Sequence, residues 1–442
     1  MSFWRMVPPL MRRQGEYVLK RLQEHGHQAY FVGGCVRDEI MGRPVHDMDI
    51  ATSARPEQVI ALFEHTVPTG LQHGTVTVVA ERETFEVTTF RKEADYEDHR
   101  HPTRVEFVDG LLEDLRRRDF TMNAIAADAG GNLIDPFDGK RDIEAGILRC
   151  VGNADERFDE DALRMMRALR FASVFGFRPV KSLWKALKFS RSKISFIAIE
   201  RIRAEFEKML LGPDPLRGLA LLQRSRLLPY IKAPVPSAAL RPLAGEAALT
   251  AMKTLAAVPP EESPELRYAL LLQGIGVGGD EAADLMKRWT FPNAIAQRTA
   301  DLIRFDELWK TRRAEAGGSG PLRKRWVELQ LRFGKQMAAL WLKREQTKLA
   351  VEFADEPDKL QAKLDLMKQS EAGWHEEVPV HTLKELAIRG EDVIRSMGRK
   401  GGPWLGMLMG RLLFLVASGE LANEREILLE QAKVVVNEDG TS

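Results

Sequence analysis

The chain has 442 residues, 44% hydrophobic and 29% charged, which is enough for several domains with an ordinary globular balance. Its two cysteines, Cys35 and Cys150, exclude a disulfide framework and point to a reducing compartment; no apolar run reaches the ~18 to 20 residues of a membrane span, since even Leu405 to Val416 is broken by Arg411. The 65 Lys and Arg against 64 Asp and Glu exclude neither nucleic acid nor protein as partner, because an RNA binder needs a basic surface rather than a basic total.

In chain order, Ala29-Tyr30-Phe31-Val32 reads as a buried strand, Gly33-Gly34 as a turn and Cys35 to Ile40 as the first turns of a helix. That combination suits phosphate: glycines let a backbone approach closely, a helix start offers N–H groups, and Arg37 adds a forked cation. A plain strand-to-helix turn needing positive φ is the alternative. Thirteen residues beyond Gly34 come Asp47-Met48-Asp49. If this stretch is a strand, the two carboxylates share a face, at a spacing tolerable with a divalent cation between them; an isolated Asp-x-Asp would otherwise be a solvated turn.

Thr84 to Arg91 alternates as a strand does and carries Glu86, and the charged segment from Arg91 to Pro102 reads as a mobile loop or a solvated hairpin connection. Then follow Arg117-Arg118-Asp119-Phe120-Thr121-Met122-Asn123-Ala124, Asp135-Pro136-Phe137-Asp138-Gly139 with Asp142, and Glu160-Asp161-Ala162-Leu163-Arg164, with Arg167 and Arg170 continuing a three-residue spacing. From Asp161 onward nearly everything is helix-periodic, as in Ile199 to Leu210, so a mixed α and β head precedes an all-helical remainder. Breaks are expected at 213–215, 233–242 and 314–321; the Arg323-Lys324-Arg325 cluster after the last is either a solvated face or an RNA contact. The nine histidines show no zinc-like spacing, and the N-terminus shows no signal-peptide apolar core, so a cytoplasmic protein without a membrane partner is expected.

The segment GGCVRDEIMGRPVHDMDIA and the blocks after it resemble, in the same order, the nucleotidyltransferase head of the class II tRNA CCA-adding enzymes and their bacterial poly(A) polymerase relatives, within the DNA polymerase β-like superfamily. The resemblance implies an α+β fold in which a DNA polymerase β-like nucleotidyltransferase head of mixed sheet and helices (1–150) is followed by an all-α neck (151–212), body (213–320) and tail (321–442). It implies Mg²⁺ held by Asp47 and Asp49, with Glu86 as the third catalytic carboxylate. It places Gly34, Arg37 and Arg118 at the triphosphate or sugar and Asp161, Arg164, Arg167 and Arg170 at the base. The partners implied are the tRNA 3′ end, with CTP and ATP as substrates; a homodimer is left open. The 91–102 segment resembles the loop with which such enzymes switch from C to A, and 397–406 with 419–424 resembles the tail region that holds tRNA in the Gram-positive type.

Base choice follows from donor and acceptor geometry. Cytosine and adenine both present an amino donor beside a ring-nitrogen acceptor, whereas uracil and guanine present the reverse pair. Asp161 only accepts and Arg164 only donates, and at i, i+3 on a helix they would share a face; a surface ion pair is the other reading. UTP and GTP would meet acceptor with acceptor and donor with donor. Three functions stay open at this stage: CCA addition to tRNA, an A-adding enzyme or poly(A) polymerase, and a catalytically silent tRNA-binding protein.

Overall fold

The computed structural model describes residues 3–96, 102–240, 245–315 and 319–439, in two compact units, 1–235 and 236–442. Their boundary falls in the Pro-rich 233–242 break and therefore inside the 213–320 segment expected as a single body.

The first unit runs α1 (Pro9–Glu24), β1 (Ala29–Val32), α2 (Gly34–Ile40), β2 (Ile50–Thr52), α3 (Pro56–Leu62), β3 (Thr66–Gly70), β4 (Thr75–Ala80) and β5 (Glu83–Thr89). A hairpin of β6 (Arg91–Tyr96) and β7 (Pro102–Phe107) follows, and the tip that joins them, 97–101, lies outside the described residues. Next come α4 (Leu111–Arg116), β8 (Ala126–Ala127), β9 (Leu133–Ile134), α5 (Gly139–Glu144), α6 (Ala154–Glu160), α7 (Leu163–Val174), α8 (Lys181–Ser190), α9 (Ile199–Leu210) and α10 (Pro215–Ser225).

Seven strands form one mixed sheet in the order β3-β4-β5-β2-β1-β8-β9; β2 runs parallel to β5 and the other pairs are antiparallel. Period-two alternation decides its two faces. In β5, Phe85 and Val87 are buried while Glu86 between them is exposed. α1 covers the apolar face with Gly15, Val18, Leu19 and Leu22, a helical stripe at i, i+3, i+4, i+7. Gly15 permits the contact, since a Cβ there would lie 3.0 Å from the Phe31 ring and 3.2 Å from Phe85. Each fully buried apolar side chain in this layer contributes roughly 1.5–3 kcal/mol.

Asp47-Met48-Asp49 is extended but not part of a strand; β2 begins at Ile50. The alternation nevertheless holds in burial, because Met48 is buried between the exposed Asp47 and the part-buried Asp49, while the Val32 N–H donates to the Asp49 carbonyl at 3.0 Å.

The second unit is helical: α11 (Glu246–Ala257), α12 (Pro264–Gly274), α13 (Gly279–Arg288), α14 (Asn293–Ala314), α15 (Ser319–Phe333), α16 (Lys335–Glu352), α17 (Pro357–Gln369), α18 (Glu371–Glu377), α19 (Gly390–Met397), α20 (Pro403–Ala417) and α21 (Arg425–Asp439). Its centre is aromatic, with Trp326 5.2 Å from Trp309 and 5.5 Å from Trp341 between ring centroids. Arg323, Lys324 and Arg325 are paired within this unit, to Glu377, Glu420 and Glu315. No helix among the described residues is long and apolar enough to cross a membrane.

Candidate active site

The first unit opens a cleft of about 890 Å³. Its wall includes Gly33, Gly34, Arg37, Asp47, Asp49, Arg118, Asp161, Arg164, Arg167 and Arg170. Residues from four separate sequence blocks are thus brought to one cavity.

Gly33 has φ 74° and caps α2, a left-handed backbone that favours glycine. A Cβ there would also lie 2.9 Å from an Arg118 guanidinium nitrogen. Gly34 opens the helix. Arg37, four residues after Gly33, is buried, and its edges are occupied: Nε and Nη2 donate to Asp38 at 3.0 and 2.9 Å, and Nη1 donates to Asn123 Oδ1 at 2.6 Å. Arg118 is less committed. Its Nη2 donates to Asp114 at 3.2 Å and its Nη1 to the Asn123 carbonyl at 3.5 Å, while its Nε is buried without a partner.

The backbone of the next block is tightly fixed. A Cβ on Gly139 would sit 2.2 Å from the Thr121 carbonyl oxygen, so only glycine lets α5 start there. Asp135 accepts from the Gly139 and Lys140 N–H groups, and Asp142 accepts from the Thr121 hydroxyl, all at 2.8 Å. These contacts hold the 119–123 segment beneath the cleft.

Asp47 and Asp49 form no ion pair or side-chain hydrogen bond among the described residues. Burial, then the neighbouring Asp47 and Glu86 charges, push the Asp49 carboxyl up to about 6, against the opposing influence of Arg118 and Arg37. Glu86 does not line the cleft, yet the parallel register pairs Ile50 with Val87, so Asp49 and Glu86 stand one step before that pair on neighbouring chains. No group of three or more His, Cys, Asp or Glu close enough to share one ion occurs among the described residues. Two carboxylates lining one wall of a cleft suit a hard cation that keeps water and phosphate oxygens as its other ligands, as Mg²⁺ does.

The base-side residues are arranged differently from the single-helix expectation. Asp161 lies between α6 and α7 with extended backbone, and so precedes the helix that carries Arg164. Its Oδ1 accepts from the Leu163 N–H at 3.0 Å and its Oδ2 from Arg201 of α9 at 3.1 Å. Arg164 donates to the carbonyls of Arg157 and Arg117 at 3.1 and 2.9 Å and pairs with Glu160. Both still line the cleft, because the chain turns once between them.

Arg167 and Arg170 are fixed by buried acids. Arg167 donates twice to Asp119, at 2.7 and 2.6 Å, and Arg170 pairs with Glu205 of α9 at 2.5 Å. Burial alone would push the Asp119 carboxyl up, but the Arg167 charge, the Asn123 hydrogen bond and Arg164 override it and hold the group at about 2. The sequence puts Asp119 and Asn123 in a motif block without giving them a role, and the helix of Arg201 and Glu205 shows only its periodicity. A strongly acid-and-arginine pattern on the apolar-striped 199–210 helix was the one available signal.

The family model described as the poly A polymerase head domain matches residues 29–149. One described as "Probable RNA and SrmB-binding site of polymerase A" matches 176–239, and a tRNA nucleotidyltransferase domain 2 model matches 261–432. The CCA-adding enzyme of Geobacillus stearothermophilus is 38% identical over 95% of this chain and 96% of its own, and that of Enterococcus faecalis is 36% identical over 94% of each. The crystal structure of the Bacillus stearothermophilus CCA-adding enzyme in complex with CTP superposes with a TM-score of 0.77 at 34% identity, over 98% of this chain and 99% of that one. The Thermotoga maritima CCA-adding enzyme complexed with tRNA, at 20% identity, has a TM-score of 0.59 over 98% and 97%, a likeness of fold.

Proposed function

From the premise that this chain belongs to the family of CCA-adding enzymes, we propose that it is a cytoplasmic, Mg²⁺-dependent tRNA nucleotidyltransferase that adds and repairs the 3′-terminal CCA with CTP and ATP and no nucleic-acid template. The observation that carries this is the single cleft shared by Asp47 and Asp49, the glycine turn, Arg118, and the Asp161 and Arg164 pair. Each set suits a different part of one nucleoside triphosphate.

Transfer requires the RNA 3′ hydroxyl to attack the α-phosphorus in line while diphosphate leaves. When bound, Mg²⁺ would neutralise charge on the attacking and leaving oxygens. Asp47 and Asp49 would hold it, and Glu86, on the neighbouring strand, would face the hydroxyl. The Gly33-Gly34 turn would admit the phosphates against backbone, with the Arg118 guanidinium close by in the cleft wall. Asp161 would accept from the amino group that cytosine and adenine share, and Arg164 would donate to the adjacent ring nitrogen, so UTP and GTP would leave both unpaired. The all-α remainder, divided as neck, body and tail, would carry the tRNA, and the 91–102 hairpin would serve the switch from C to A.

Gel-resolved extension of tRNA transcripts lacking CCA, CA or A, each with Mg²⁺ and CTP, ATP, UTP or GTP singly and together, tests the reading. Stepwise C, C, A addition that then halts is expected. Addition of A alone would replace it with an A-adding enzyme, and no extension would leave only tRNA binding.

A further inference from the structure

Arg37 spends three of its five N–H donors on Asp38 and Asn123. Its guanidinium faces, meanwhile, meet aromatic rings. Its central carbon lies 4.7 Å from the Phe175 ring centroid and 5.5 Å from that of Phe171. The two rings are themselves stacked, 5.5 Å apart and 11° from parallel. Phe175 also receives Arg43, at 5.2 Å, and Phe171 receives Arg170, at 3.9 Å, and Arg167, at 5.3 Å. Cations and rings thus run without a gap from the helix of the glycine turn to the base-side arginines of α7.

We propose that Phe175, which lies outside the cleft wall, is a positioning residue: gripped by Arg37 and Arg43, it fixes α7, with Arg164, Arg167 and Arg170, at a set distance from the Gly33-Gly34 turn. The proposal rests on the reading that the cleft binds CTP and ATP. Two features make the stack more than packing. Phe175 is half-buried at the end of α7, where a leucine would fill the same apolar space but offer no ring face to a guanidinium. Arg43 has no hydrogen bond or ion pair for its guanidinium among the described residues, so the ring is the partner that orients it. A nucleotide held at its phosphates by one block and at its base by another is bound well only while the two blocks keep their spacing.

The test is equilibrium dialysis of CTP, ATP and UTP with Mg²⁺ against the wild-type full chain, F175L, F175Y and R43Q, with tRNA affinity and thermal melting measured on each. F175L is expected to weaken CTP and ATP about tenfold and to narrow their advantage over UTP, R43Q to weaken them about threefold, and F175Y to stay within about twofold of wild type, since cation–π contacts need a ring rather than a phenylalanine. Affinity for tRNA should not move. Wild-type nucleotide affinity in F175L, or F175Y as weak as F175L, would overturn the proposal; should F175L not fold, R43Q binding as the wild type does would overturn it. A wild type that binds CTP yet extends no tRNA sinks the transfer reading while the dialysis still decides the stack, and a wild type that binds neither nucleotide sinks both.

Discussion

Asp47 and Asp49 face the cleft with no cation salt-bridged to them among the described residues, whereas Asp119, also in its wall, and Glu205 behind it are tied to Arg167 and Arg170 at 2.5–2.7 Å. Asp49 is left in a state that burial and repulsion from Asp47 and Glu86 make unfavourable, as its carboxyl pushed up to about 6 records. The second pair is compensated in the way a buried charge must be. Asp306 in the second unit is of that same kind: fully buried, it accepts from Arg344, Trp341, Gln273 and Lys310 at 2.7–3.1 Å. A buried acid closed off by its partners builds structure and an uncompensated one next to a phosphate-friendly turn is reserved for something that arrives, while the part-exposed Asp161, paired with Arg201 yet lining the cleft, stands between the two.

The sharpest way to break this comparison is Asp47→Ala. If Asp47 is a metal ligand, transfer should fall to background while the melting temperature is unchanged or slightly raised, because a repelling charge has gone; tRNA affinity should stay nearly intact. Retained turnover would mean the pair is merely a solvated acidic turn. Next in size is Asp161→Asn, which keeps the oxygen that caps the Leu163 N–H but turns the second acceptor, now facing Arg201, into a donor. Selectivity for CTP and ATP over UTP and GTP should fall on the order of 10²-fold or more, as expected where a site's polar pattern does the discriminating. Unchanged selectivity in the extension assay would remove Asp161 from the base site.

Much of this division was legible before any coordinates. The strand at 29–32, the glycine turn, the Asp-x-Asp pair on one side of the chain and the change from mixed to helical structure all follow from short-range pattern, where period and turn chemistry are decisive. The mixed sheet and helical remainder implied by the family resemblance are what the fold shows. What the pattern could not give is who compensates whom. Arg167 finds Asp119 across 48 residues, Arg201 finds Asp161 across 40 and Arg37 finds Asn123 across 86, and no local rule reaches that far. The i, i+3 rule misread Asp161 for a related reason: the aspartate serves as the stop between two helices, where a side chain that caps its own backbone competes with continuing the helix. The Phe171 and Phe175 pair likewise reads as an ordinary i, i+4 apolar stripe until the arginines on either side are in place.

The smallest expected effect concerns the compensated side, and it is a matter of pH. Asp119 is held at about 2 in the folded chain against an ordinary 3.8, a difference of about 2.4 kcal/mol. A carboxyl whose folded value is depressed contributes fully above its unfolded value and loses that contribution as pH falls through the folded one. The contribution should therefore be complete from about pH 5 upward, about half present at pH 3 and gone below pH 2. Asp119→Asn removes the titration while keeping the shape, although it leaves Arg167 underpaired, so the variant should be less stable than wild type at pH 7 by roughly 3 kcal/mol. The informative quantity is how that gap changes. Urea unfolding of both full chains between pH 7 and pH 3 should show the gap narrowing by about 1 kcal/mol toward acid, since only the wild type has an Asp119 proton to take up. A gap independent of pH would place the stabilising interaction in the hydrogen bonds of Asp119 rather than in its charge, and the contrast with Asp47 and Asp49 would then be one of geometry alone.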